Sequence, residues 1–174
     1  MIDSTELVDC LDSYKDVDKS EMRDKISMFS DIMAKHPDTK VGNMDECPLK
    51  HTFADGVYVR EIFIPKDYLL VGKIHKHSHP NFLMSGKVIV VTEGAGTETL
   101  EAPMSIISPP GTKRIVHALE DTVWITVHVT KETDLDKIED YVIAKSYDEF
   151  LEYESKKQIE VNKEIISEGI LCHG

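Results

Sequence analysis

Between Gly56 and Val129 apolar residues recur at every second position, and on either side of that stretch they recur every three or four. A period of two sends successive side chains to opposite faces of a strand, and a period near 3.6 gathers them on one stripe of a helix. The chain therefore has to hold a mainly β body between two helical ends. Turn residues cut the β stretch about every ten positions. Val57–Ile64 is followed by the turn Pro65-Lys66-Asp67, and Tyr68–His77 by a corner at His79-Pro80-Asn81. Phe82–Ser85 and Val88–Thr92 flank the tight turn Gly86-Lys87, and Glu93-Gly94-Ala95-Gly96 reads as a hairpin loop. Thr97–Glu101, Ser105–Ile107, Ile115–Ala118 and Val123–Val129 complete the set. Many short, evenly spaced strands predict an antiparallel barrel or jelly roll.

Three segments follow. Residues 1–52 read as a helical extension and a loop, 53–130 as the barrel, and 131–174 as helices that pack on the barrel or on a partner subunit. In the first, Leu7, Val8, Leu11 and Tyr14 form one apolar stripe, and Met22, Ile26, Phe29 and Met33 a second. Ser20 is the expected N-cap of the second helix, and His36-Pro37 stops it, because a residue before proline is pushed out of the α region. Residues 38–52 carry Gly42, Asn43, Asp45 and Pro48 and read as a loop. In the third segment Thr133-Asp134-Leu135-Asp136 and Ser146-Tyr147-Asp148-Glu149 resemble capping boxes, each opening a helix.

A chain of 174 residues is long enough for one domain with its own core. Its net charge of −12 opposes binding to nucleic acid, although a pocket can still hold a small anion against the global sign. No apolar run reaches the ~20 residues that span a bilayer, and the acidic start Met1-Ile2-Asp3-Ser4-Thr5-Glu6 lacks the pattern of a signal peptide. No membrane association and a cytoplasmic location are the expectation. Cys10, Cys47 and Cys172 are odd in number and scattered, which reads as reduced thiols.

The segment Gly72-Lys73-Ile74-His75-Lys76-His77-Ser78-His79-Pro80-Asn81 carries the chemistry. On a straight strand Lys73, His75 and His77 share one face. Neutral imidazole ligates divalent transition metals, here iron, zinc, nickel, copper or manganese. His79 can join the same ion only if the chain bends after His75, since four residues of strand span ~13 Å. Solvated loop histidines are the competing reading. Lys73, Lys113 and Arg114 can line a cationic pocket for a small anionic molecule, since arginine pairs bidentately with carboxylate or phosphate. A salt bridge from Arg114 to Glu101, Glu120 or Asp121 is the alternative. Trp124 reads as core. Tyr58, Glu61 and Glu101 are candidate acids or bases, with no catalytic residue fixed.

The His75-Lys76-His77 and His79 cluster, Gly86 after six further residues, and Pro109-Pro110-Gly111-Thr112-Lys113-Arg114 together resemble the two motifs of the cupin superfamily over roughly residues 56–129. The resemblance implies a cupin-like barrel with a metal in its cavity. This chain departs from the family pattern in two places. The glutamate position counted back from Gly86 is His79, and the second-motif histidine is Arg114, a permanent cation that cannot ligate a metal. The metal set that then follows is His75, His77 or His79 with His117 or His128. More narrowly, Phe53-Ala54-Asp55-Gly56, Ala102-Pro103, Ser108-Pro109-Pro110-Gly111-Thr112-Lys113-Arg114 and Trp124-Ile125-Thr126-Val127-His128 resemble small cupin proteins of tailed bacteriophages, implying host cytoplasm as the location. Three functions follow as expectations: a metal-dependent dioxygenase- or isomerase-like enzyme acting on a small anionic molecule, a non-catalytic anion binder, or an accessory viral scaffold. Long amphipathic ends predict a homodimer.

Overall fold

In a computed structural model of the chain, residues 18–37, 39 and 45–170 are described. Among the described residues there are eleven short strands, nine of them in the alternating stretch, one before it and one after, and every pairing is antiparallel. Strands β1 (Leu49–Ala54), β2 (Val57–Ile64), β10 (Thr122–Val129), β5 (His79–Ser85) and β8 (Met104–Ser108) form one sheet in the order β1-β2-β10-β5-β8. Strands β3 (Leu69–Val71), β9 (Arg114–Ala118), β6 (Lys87–Thr92) and β7 (Gly96–Glu101) form a second, in the order β3-β9-β6-β7. A short ribbon pairs β4 (Ile74–His75) with β11 (Ile143–Ala144) at the barrel mouth. The result is a mainly antiparallel β fold of jelly-roll type with flanking helices.

Alternation decides what each strand contributes. Ile62, Ile64, Leu83, Val88, Val90, Val116, Ala118 and Trp124 point inward from both sheets and fill the barrel's closed end. Burying such side chains stabilises by ~1.5–3 kcal/mol each. The other face of the second sheet is covered by α1 (Lys19–Lys35), whose Met22 and Ile26 pack on Val91 and Ile115. At the mouth, α2 (Leu135–Val142) sets Ile138 and Val142 against Tyr58, and α3 (Tyr147–Ile170) sets Phe150 against Ile74 and Ala144.

Several expectations are corrected in detail. Residues 49–52, read as loop, are the start of β1, an edge strand whose pattern Pro48 and the preceding turn residues obscure. Tyr68–His77 is not one strand; Gly72 and Lys73 break it into β3 and β4, and Gly72 N–H donates to the Arg114 carbonyl at 2.7 Å. Helix α1 starts one residue after Asp18, which has the N-cap position in place of Ser20, and no side chain caps it. Asp134 caps α2, its carboxylate accepting from the Asp136 and Lys137 amides. At α3 the Ser146 hydroxyl accepts from the Glu149 amide at 3.1 Å, and Glu149 reaches back to Lys145 N–H at 2.9 Å. The stripe Leu7, Val8, Leu11 and Tyr14, with Cys10 and Cys172, lies outside the described residues.

The turn from β5 to β6 admits only glycine. Gly86 has φ +87°, and a Cβ there would sit 2.5 Å from both the Asp121 carbonyl oxygen and the Thr122 hydroxyl. Gly96, at φ +70° in the hairpin between β6 and β7, has open space instead. Gly86→Ala is expected to cost roughly 2–4 kcal/mol, combining backbone strain with overpacking. Gly96→Ala should cost ~1–2 kcal/mol from the left-handed backbone alone. Urea unfolding of the two variants checks the difference, and equal losses would contradict it.

Candidate metal centre

Strands β2, β10 and β5 lie side by side, and their inward residues change from apolar to polar along the barrel axis. Ile62, Trp124 and Leu83 form one layer, with Ile64 and Thr122 below it. Arg60, Thr126 and Asn81 stand above them, and Tyr58 and His128 above those, with His79 next inward on β5. Asn81 joins the layers. Its Oδ1 accepts from Trp124 Nε1 at 3.1 Å and from the Thr126 hydroxyl at 3.2 Å, and its Nδ2 donates to the Ser108 hydroxyl at 2.6 Å. Arg114, from β9, donates to the same Ser108 hydroxyl and lies over the Trp124 ring at 5.8 Å.

Upon this polar layer stand three imidazoles. His75 comes from β4, His79 from the start of β5 and His128 from the end of β10, and one nitrogen of each lies within 4.8 Å of the other two. The His75 ring is centred 4.1 Å from that of His79 and 5.2 Å from that of His128. Their assembly depends on the bend after His75. Residues 76–78 leave the extended conformation, Lys76 N–H donates to the Val142 carbonyl at 2.8 Å, and β5 starts afresh at His79. The Pro-Pro-Gly turn fixes the other side. Gly111 N–H donates to the His75 carbonyl at 2.8 Å, and a Cβ on Gly111 would meet the Phe150 ring at 2.6 Å.

The donor set fits a metal. His79 Nδ1 lies 3.0 Å from the His77 carbonyl, which can only accept, so Nδ1 carries the proton and Nε2 has the lone pair. That Nε2 is buried with no hydrogen-bond partner, as is His75 Nδ1. Buried polar atoms are normally paired, and a ligating histidine characteristically donates its other N–H to a backbone carbonyl. All three rings are held neutral. Burial first, then the neighbouring His79, His128, Arg114 and Arg60, pulls His75 down to about 2. Burial, then His79, Arg60 and His77, pulls His128 down to about 4, and burial lowers His79. Histidines held neutral cannot supply positive charge near neutral pH, so the permanent cations of the cavity are Arg114 and Arg60, both with pKa lowered first by burial.

The other sequence candidates lie elsewhere. Because the strand bends, His77 turns away from His75. Its ring stacks obliquely on Tyr141 at 4.7 Å, and its Nδ1 lies 3.4 Å from the Tyr153 hydroxyl. His117 alternates with the core residues Val116 and Ala118, which puts it on the outer face with Ile115. Lys113 shares that parity and senses Asp31 on α1. Lys73 is exposed and pairs with Glu139 at 2.5 Å. Among the acid–base candidates, Glu61 pairs with Lys50 and Glu101 with Lys87, both away from the cavity. Tyr58 reaches the site, its ring 6.0 Å from His128 and its hydroxyl 2.7 Å from His51 Nδ1. Arg60 and His51 escaped the sequence reading. Arg60 was legible as a charge at the inward parity of Tyr58 and Ile62, whereas His51 lay in what read as loop.

No protein-family model matches the sequence, and no curated protein is similar to it. Solved structures with a similar fold include RmlC-like cupins. They include an RmlC-like cupin with a double-stranded β-helix fold from Methanocaldococcus jannaschii, at 10% identity over 58% of this chain and 91% of that one, with a TM-score of 0.43. An RmlC-like cupin from Shewanella frigidimarina is 17% identical over 55% and 85%, with a TM-score of 0.44. KdgF from Halomonas sp. is 16% identical over 59% and 94%, with a TM-score of 0.45. No helix among the described residues is long and apolar enough to cross a membrane.

The buried neutral histidines set a pH dependence. In the unfolded chain each titrates near 6.5. Below that pH the unfolded state binds protons that folded His75 and His128 refuse, so stability falls as pH drops from 6.5. Between pH 6.5 and 5, above the carboxylate range, each is expected to cost about 1–2 kcal/mol. Urea midpoints of the metal-free protein measured across that window should fall, and His128→Phe should flatten the slope.

Proposed function

We propose that His75, His79 and His128 hold a divalent transition metal (iron, zinc, nickel or manganese) that, with Arg60 and Arg114, binds a small anionic molecule. The observation that carries the reading is the His79 tautomer. Its Nδ1–H is spent on the His77 carbonyl, leaving a buried, unpartnered Nε2 on a ring centred 4.1 Å from that of His75 and 5.1 Å from that of His128. Charge supports the choice of ligand. A set of three neutral imidazoles contributes no negative charge, so a dication there keeps its full +2 beside two arginines. A carboxylate or phosphate neutralises that excess, and arginine recognises either bidentately. A metal bound there supplies Lewis acidity to an oxygen of the ligand. Tyr58, hydrogen-bonded to His51, is the group at the rim placed to move a proton to or from that ligand, which favours isomerase-like proton transfer over oxidation. The anion-binder reading keeps the metal and the arginines and needs no Tyr58. The viral scaffold reading needs none of them.

Elemental analysis of tag-free protein is expected to give about one transition metal per chain. His75→Ala with His79→Ala should abolish it, because one remaining imidazole does not hold an ion, while His77→Ala and His117→Ala should retain it. A metal-free wild type, or loss of metal on replacing His77, would overturn the assignment. Arg114→Leu should leave the metal and weaken binding of a carboxylate or phosphate probe by about tenfold or more. Tyr58→Phe separates the enzyme from the binder, since only an enzyme loses turnover while keeping metal and anion.

A further inference from the structure

Strands β5 and β10 pair only part of the way toward the mouth. Their ladder runs from Ser85 and Val123 to Asn81 and Thr126 and stops there. Beyond it each strand keeps its other neighbour. His79 and Pro80 stay on β8, opposite Ser108 and Ile107, while Val127, His128 and Val129 stay on β2, opposite Val59, Tyr58 and Val57. The two strands therefore part, and a slit opens in the side of the five-stranded sheet. Pro80 suits an unpaired edge, since it has no N–H to give a neighbour. A cavity of about 230 Å³ occupies the slit, with Ser78 and Pro80 on one wall and Val127, His128 and Val129 on the other. Val127 and Val129 alternate with His128, so they face outward where it faces inward. A cavity touching both faces of one strand passes along that strand's edge, and β2 already covers the other edge. The slit thus runs from the outside of the barrel to His128. The mouth is shut among the described residues, because Ile138 on α2, 2% exposed, packs on Tyr58, 4% exposed.

We propose that the slit holds the body of the small anionic molecule whose charged end lies at His75, His79 and His128, and that this body is apolar and no larger than a single ring. The inference rests on the anion-binding reading of that cluster. Three observations select the occupant. The first is connection. His128 belongs to both places, its ring centred 5.2 Å from that of His75 and 5.1 Å from that of His79. A molecule in the slit therefore lies against a member of the cluster. The second is size. The cavity has room for about seven to eight waters at ~30 Å³ each, and it is smaller than the ~300–1,000 Å³ that drug-sized ligands occupy. The third is the chemistry of the walls. Pro80, Val127, Val129 and Val142 line it with carbon, and the Tyr141 ring, 52% exposed, lies over His77 at 4.7 Å. Besides His128 and the Tyr141 hydroxyl, the side chains offer the Ser78 hydroxyl and His77 Nε2, which is buried without a partner. A body rich in hydroxyl groups would leave water with too few side-chain partners to replace it. A flat apolar ring loses nothing there and gains contact with the Tyr141 and His77 rings. The ligand class that follows is a single-ring carboxylate.

Isothermal titration of the tag-free 174-residue protein at neutral pH with benzoate, acetate and gluconate tests it. The three share a carboxylate and differ in the body. Benzoate is expected to bind about tenfold or more tighter than either of the others, since only its ring buries apolar area in the slit. Tyr141→Ala should weaken benzoate by about fivefold and leave acetate unchanged, and Tyr141→Phe should restore it. Far-UV circular dichroism checks the fold, and Val129→Ser, at a position 80% exposed, carries the same test should Tyr141→Ala not fold. Benzoate no tighter than acetate, gluconate tighter than benzoate, or an equal loss of benzoate and acetate in Tyr141→Ala overturns the inference. Acetate binding without a preference for benzoate overturns the slit alone and leaves the anion site standing. Binding of none of the three overturns both.

Discussion

The amide of Asn81 joins the two halves of the barrel interior. Below it the cavity is closed by Trp124, Leu83 and Ile62; above it stand the histidines. A buried carboxamide is tolerated only when its lone pairs and protons are used. Here Oδ1 receives an indole and a hydroxyl proton, and Nδ2 donates to Ser108. The same Ser108 hydroxyl receives Arg114, so one serine ties the amide to a cation from the opposite sheet. Loss of the amide would orphan the Trp124 N–H and the Thr126 hydroxyl together, at about 1–3 kcal/mol for each buried group. The imidazole layer rests on that network and inherits its order.

Electrostatics explains how three histidines coexist with two arginines in one cavity. Protonated rings would repel one another and the guanidinium groups, so burial and mutual repulsion act in the same direction and keep the imidazoles neutral. Arg60 and Arg114 stand beside the neutral rings, so these groups together give that part of the cavity a positive charge.

The helices serve the mouth. Glu139 on α2 pairs with Lys73, and Glu149 on α3 pairs with Lys76 at 3.0 Å, so both helices grip the segment that bends between β4 and β5. The ribbon of β4 with β11 continues that grip through backbone pairing of His75 with Ile143. The strand that carries His75 is therefore only two residues long and is held mainly by neighbours outside the two large sheets.

Much of this was legible in the residues. The change of period near Gly56 and again near Asp134 dictated a barrel between helices, because strand and helix bury different spacings of apolar side chains. The concentration of histidines near position 75, with His117 and His128 on later strands, put all three members of the cluster among five candidates. The need for a bend before His79 could share an ion followed from strand length. What the sequence could not decide was which histidine a bend would discard. The i, i+2 rule places His77 beside His75, and it fails because three residues leave the strand to pack under α2 and α3, a contact made by residues more than sixty positions away. Nor could it decide between His117 and His128, since each sits on a strand of the right kind and only the order of strands in the two sheets shows which face meets the cavity. Local spacing thus determined the strands and which histidines share a face, while the tertiary pairing chose which of them cluster, because faces are set by spacing and neighbours by long-range contacts.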